Sequence, residues 1–112
     1  MKETSSITGW HAHVYFDGSE KEAARQLCEG AAARFGIPMG RMHDDPIGPH
    51  PKGSCQLSIP PALFGEVVPW LVLNHGALSV LIHADTGDHL ADHTDHLLWL
   101  GTPVALDLSI FA

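Results

Sequence analysis

The sequence predicts an α+β fold, a sheet carrying two helices on one face. Three observations point there. Polar and apolar residues alternate by twos from Trp10 to Phe16, which is the period of a strand. Apolar residues then recur at helical spacing from Ala23 to Phe35. A second helical run, from Pro60 to Leu73, lies between two short strand patterns, Ser54–Ile59 and Leu78–His83.

Each element has its own punctuation. Residues 1–8 read as a flexible polar arm and residues 9–112 as one domain, the chain being too short for two. Trp10–Phe16 is the first strand, with Trp10, Ala12, Val14 and Phe16 on one face and His11, His13 and Tyr15 on the other. Asp17-Gly18-Ser19 is turn and cap, and Glu20 and Glu22 complement the dipole of the helix that follows. Gly36-Ile37-Pro38 ends that helix. A short second strand is expected within the weakly patterned segment Met39–Ile47. Gly48-Pro49-His50-Pro51-Lys52-Gly53 is a loop. Ser54–Ile59 is the third strand, with Cys55, Leu57 and Ile59 facing the core. Pro60-Pro61 opens the second helix, and Pro69 inside it predicts a kink or two short helices. Leu78–His83 is the fourth strand, with His83 on the polar side. Beyond the turn Asp85–Asp88, a short helix is expected within His89–Leu100 and a fifth strand over Val104–Phe111.

The order β-α-β-β-α-β is that of the ferredoxin-like split βαβ motif, here with a C-terminal extension of helix plus strand. In that topology the first strand is central and antiparallel to the third and fourth. The end of the fourth strand then approaches the start of the first, which brings His83 to His11 and His13 on the helix-free face. A one-residue slip would reverse this.

Composition narrows the function. A formal charge of -7 with six Lys and Arg argues against nucleic acid, which demands a basic surface. No apolar leader is visible, and the stretch Leu63–Ile82 is too interrupted to span a membrane, so a cytoplasmic protein is expected. Cys28 and Cys55 read as buried free thiols. No phosphate-binding glycine motif occurs. Nine histidines remain as the chemical signal. Two at strand spacing opposite a core, with a third brought close by topology, suggest a metal site of His11, His13 and His83 rather than a merely solvated polar face. Asp85 and Glu66 are carboxylate alternatives without a motif. Imidazole suits iron, zinc, copper and nickel alike, so these residues do not select the metal. His89 and His93 form an i,i+4 pair but lack the adjacent Glu of a zinc-protease helix. His43, His75 and His96 read as structural or solvated, and Trp10, Phe16, Phe35, Phe64 and Trp70 as core.

Several segments together resemble the DOPA 4,5-dioxygenase family: His11-Ala12-His13-Val14-Tyr15-Phe16-Asp17, Gly48-Pro49-His50-Pro51, Pro69-Trp70-Leu71, Leu78–His83, Asp92-His93-Thr94 and Trp99-Leu100-Gly101. The likeness runs from about Trp10 to Phe111. It implies a small ferredoxin-like domain, often a homodimer, and a non-haem iron(II) extradiol dioxygenase that opens catechol rings with dioxygen. The fungal members act on DOPA. Where the family often has proline after the strand histidine, this chain has Ala84, which is expected to relax the local loop. On this resemblance His11, His13 and His83 would hold iron, with zinc or nickel able to replace it in an isolated sample. His50 would serve as a catalytic acid/base group or a fourth ligand, and His93 as a base or a residue supporting the ligands, because a substrate hydroxyl must lose its proton on binding. Tyr15 would touch substrate or pack at the open face. A competing expectation is a histidine-rich, ferredoxin-like dimer that binds metal or a small ligand without turnover, since fold does not imply function. A third is an oligomerisation domain with an incidental histidine surface. An open sheet face in so small a domain argues for a second copy to cover it.

Overall fold

Alternation decides the central strand, and the rest of the sheet assembles on it. In the computed structural model, which describes residues 3–111, β1 spans Gly9–Phe16. Met1 and Lys2 of the expected arm, and Ala112, lie outside the described residues. A 3-10 turn, Gly18–Glu20, leads into α1, Lys21–Phe35. The Asp17 backbone N–H donates to the Glu20 carboxylate at 3.0 Å, which fixes the entry. Gly36 takes the left-handed conformation, φ 65°, and its N–H returns to the Ala32 carbonyl. Next come β2 (Gly53–Ile59), a 3-10 turn (Pro61–Leu63), α2 (Phe64–Asn74) and β3 (Val80–Asp85). The C-terminal part adds α3 (His89–Asp92), β4 (Leu97–Leu100) and a last 3-10 turn (Leu108–Phe111).

The sheet order is β2-β1-β3-β4, and every pairing is antiparallel. This is a ferredoxin-like α+β fold with β1 central, as the element order predicts. The core lies between the sheet and α1 and α2. Ala12, Val14, Leu57, Val67, Leu71, Val80 and Ile82 are fully enclosed there. Trp10 packs on Phe64 and Phe35 on Trp70, so the aromatic residues expected in the core are in it or against it. Cys28 and Cys55 are free and buried, as expected. Among the described residues no helix is long and apolar enough to cross a membrane.

Four local expectations are corrected. Met39–Ile47 is not a strand. It touches β2 only through isolated bridges, Met39 to Leu57 and His43 to Ser54. Pro38, Gly40 and Pro46 interrupt any continuous ladder there. The second helix breaks before Pro69 rather than at it: the 3-10 turn passes into α2 at Phe64, and α2 continues through the proline. The helix expected over His89–Leu100 stops after one turn, and Leu97–Leu100 is a strand that completes the free edge of β3. The strand expected over Val104–Phe111 does not form, and that segment ends in the 3-10 turn. The extension is thus one helix and one strand, with the strand earlier than its alternation suggests.

Ala84 is also not in a loop. It lies within β3 opposite Trp10, and its N–H donates to the His96 carbonyl at 2.9 Å.

Candidate metal centre

Antiparallel partners point to the same side of a sheet, so register fixes the site. His11 lies directly opposite His83, and His13 is two pairs further along β1, opposite Leu81 and on the same face. One ligand nitrogen from each of His11, His13 and His83 lies within 4.8 Å of the others. The Nε2 atoms of His13 and His83 are 3.1 Å apart. The His83 Nδ1 sits 2.9 Å from the Ala84 carbonyl oxygen. A carbonyl only accepts, so Nδ1 carries the proton and the neutral ring presents a lone pair at Nε2. Without a cation, His13 must donate its Nε2–H to that lone pair. With metal–imidazole distances of about 2.0–2.1 Å, two nitrogens so spaced subtend about 95–100° at a shared ion. That angle suits ligands on one face of an open coordination sphere.

The surroundings keep these rings neutral. Burial, then the neighbouring His50, His83, His11 and His93, holds His13 well below the usual imidazole range. His83 is pushed down to about 4, chiefly by burial, although its bond to Ala84 opposes this. Burial also lowers His11, partly offset by the Asp85 carboxylate. Neutral imidazole is the form that ligates, so the donor set fits a divalent transition metal without a proton to lose. Among the described residues no other cluster of three such groups converges in this way.

Two further histidines close over the strands. Gly48, φ 55°, allows a tight turn in which the backbones of Ile47 and His50 bond each other twice, at 2.9 and 3.2 Å. The turn lays the His50 ring 4.1 Å from that of His13, centroid to centroid. The Tyr15 hydroxyl is 2.6 Å from His50 Nδ1. From the other side, α3 brings the His93 ring to 4.2 Å from His83. His93 Nδ1 donates to the His89 carbonyl at 2.7 Å, which leaves its Nε2 free to accept. Asp92 anchors this helix. It is 1% exposed and accepts the Thr86 N–H (2.8 Å), the Thr86 hydroxyl (2.6 Å) and His96 Nδ1 (3.1 Å). Burial alone would raise its carboxyl, but these bonds outweigh it and hold the group below its ordinary value. Asp88 caps the same helix through the Ala91 N–H.

The five expected site histidines therefore share one face. Of the carboxylate alternatives, Asp85 is near enough to act on His11 electrostatically, whereas Glu66 is exposed in the first turn of α2, in the helical layer. The i,i+4 pair does not form a site of its own, because His93 turns its Nδ1 to the backbone of His89 and the His89 ring stacks on Phe111. His75 bonds the Leu78 carbonyl at the end of α2, and His96 bonds Asp92. His43 instead lines a cleft of about 340 Å³ that reaches His13 and His50 and carries Arg41 and Gln56 on its walls.

The face is also less open than strand alternation implies. Tyr15, Leu81, His13 and His83 are at most 5% exposed within the single chain. The His50 loop and the C-terminal segment cover them, tied together by the Asp107 N–H on the Pro49 carbonyl. Trp99 stacks on Tyr15, and Phe111 lies 4.8 Å from His93. Coverage thus needs no second copy. Sequence reasoning missed Trp99, Phe111, the anchoring role of Asp92 and the Tyr15–His50 bond. Tyr15 carried a signal in its place on the histidine face, and Asp92 and Trp99 only as members of the motifs Asp92-His93-Thr94 and Trp99-Leu100-Gly101.

The chain matches known proteins over almost its whole length. The Dopa 4,5-dioxygenase family profile matches residues 10–110. A DOPA 4,5-dioxygenase of Amanita muscaria is 35% identical over 114 residues, covering 94% of this chain and 50% of that protein. An uncharacterized 21.2 kDa protein of Botryotinia fuckeliana is 36% identical over 119 residues, covering 95% of this chain and 65% of its own length. The chain thus spans half to two-thirds of these curated relatives. A Nostoc punctiforme crystal structure, provisionally assigned as a dioxygenase, superposes with a TM-score of 0.94 at 46% identity, covering 98% of this chain and 96% of that one. A match over nearly the whole chain, joined to a histidine triad on the central strands, places the chain in the Dopa 4,5-dioxygenase family.

Proposed function

We propose that this protein is an iron(II)-dependent extradiol dioxygenase that opens the ring of a catechol such as DOPA, with His11, His13 and His83 as the metal ligands. The observation that carries the reading is the convergence of three imidazoles on one face of the sheet, beside a cleft that His13 lines. When bound, iron(II) supplies open positions where two catechol oxygens and dioxygen meet, and the redox capacity their reaction needs. The protein supplies the rest. The strands bring together on one face the three nitrogens that would hold the ion. The cover of Trp99, Phe111 and the His50 loop limits water around the reacting groups. His93, with Nδ1–H committed to the backbone, presents a lone pair at Nε2 that can take a substrate hydroxyl proton. His50, beside His13, is the second group handling protons and hydrogen bonds. A homodimer acting in the cytoplasm belongs to the same proposal, and light scattering checks the stoichiometry.

Anaerobic reconstitution with iron(II), followed by oxygen uptake with a panel of catechols including DOPA, tests the activity. Uptake coupled to a yellow ring-opened product is expected. A folded, iron-loaded sample that consumes no oxygen with any catechol would overturn it. The donor set also suits zinc and nickel, which favours a second reading, a binding module without turnover. Tight zinc binding by a protein inert toward every catechol in its iron(II) form would support that reading instead.

A further inference from the structure

We infer that the Tyr15 hydroxyl locks His50 in the tautomer that is protonated at Nε2, so that His50 acts as a fixed hydrogen-bond donor to an anionic oxygen ligand rather than as a base. Tyr15 is then a positioning residue, and of the two histidines flanking the triad only His93 offers a lone pair.

The tautomer follows from counting protons. The Tyr15 hydroxyl and His50 Nδ1 are 2.6 Å apart, and the residues are 1% and 7% exposed. A phenol with a pKa of about 10 keeps its proton around neutral pH. Among the described residues that hydroxyl has no other hydrogen-bond partner. Were His50 to donate from Nδ1, the phenol proton would be stranded in an enclosed site, at a cost of about 1–3 kcal/mol. The phenol therefore donates to Nδ1, and the neutral imidazole carries its hydrogen on Nε2. Among the described residues His50 Nε2 bonds no protein group, whereas Nδ1 is held by Tyr15. His50 lines the same cleft as His13. The double backbone bond between Ile47 and His50 holds the loop, so a flipped ring would forfeit Tyr15 without gaining another partner. A donor beside the triad favours an oxygen that has already lost its proton over one that has not.

The identity of that oxygen as a catecholate rests on the proposed function, whereas the tautomer does not. Nitrogen-15 imidazole spectra of the metal-free protein read the tautomer directly. His50 Nδ1 should resonate as the unprotonated nitrogen, and Tyr15→Phe should shift it toward a mixture. Protonated Nδ1 in the unaltered protein would overturn the inference. The ligand side is read with 4-nitrocatechol on the zinc-loaded protein, where no turnover intervenes. Tyr15→Phe should weaken binding about tenfold. His50→Gln keeps a donor near the Nε2 position, so it should bind within a few-fold of the unaltered protein, and adding Tyr15→Phe to it should cost little. Equal losses from Tyr15→Phe on both backgrounds would show that Tyr15 only packs, and would overturn its positioning role. Failure of the zinc-loaded protein to bind 4-nitrocatechol at all, with Nδ1 unprotonated, would remove the catecholate while the tautomer lock stands.

Discussion

The two faces of β1 are almost equally buried and chemically opposite. On one, Ala12 and Val14 are sealed against α1 and α2. On the other, His13 and Tyr15 are 5% and 1% exposed under a loop and a C-terminal segment. The apolar face needs only shape and area to be stable. The polar face must find a partner for every polar atom it hides, and it does so with the fewest bonds that suffice. His83 bonds a backbone carbonyl, Tyr15 bonds His50, and His13 and His83 are left facing each other. Stability is concentrated on the first face, and the metal-binding groups on the second.

Substitutions that separate the faces sharpen this contrast. His83→Ala or His13→Ala should abolish stoichiometric metal binding and ring opening while the circular dichroism spectrum stays native. Leu57→Ala, on the apolar face, should cost about 2–5 kcal/mol of stability in urea unfolding, with the metal retained below the transition. Loss of metal from Leu57→Ala but not from His83→Ala would break the comparison.

Acid should act through the polar face. His50 and His83 are pushed down to about 4 in the fold, and His13 is also lowered, against an ordinary value of 6.5. Between those limits the unfolded chain binds more protons than the folded one, so stability rises with pH. It should be full above about pH 6.5 and decline as pH falls toward about 4. Melting of the metal-free protein should drop by about 20 °C from pH 7.5 to pH 5. A His83→Ala/His50→Gln double variant should show a flatter profile.

The third effect is smaller and more local. Asp92→Asn sets an amide N–H against the Thr86 N–H or forfeits a bond to His96, loosening α3 and the ring it carries. Turnover should fall about tenfold with metal content unchanged. Smaller still, Ala84→Pro removes the N–H that bonds the His96 carbonyl. A cost of about 1 kcal/mol, or about 5 °C in Tm, is expected without loss of metal.

What was legible in the sequence follows the same division. Period-two alternation in Trp10–Phe16, a clear helical stripe and a known topology were enough to set His83 opposite His11. Those signals are local or follow from chain order. The run Leu97-Leu98-Trp99-Leu100 was not legible, because four apolar residues fit a helix or a strand, and the unfilled edge of β3 decides between them. Met39–Ile47 failed for the converse reason, since its bridges depend on β2 rather than on any pattern of its own. The cover over the histidine face was hidden because it joins Tyr15 to His50 and Pro49 to Asp107 across long separations in the chain.

The claim on which the rest depends is that His11, His13 and His83 hold one metal ion. A crystal structure of the anaerobically iron(II)-loaded protein, with anomalous diffraction at the iron edge, tests it most directly. The account predicts one anomalous peak per chain within bonding distance of a ring nitrogen from each of the three. A peak centred instead on His89 and His93, or full iron occupancy in a protein lacking His13 and His83, would contradict it.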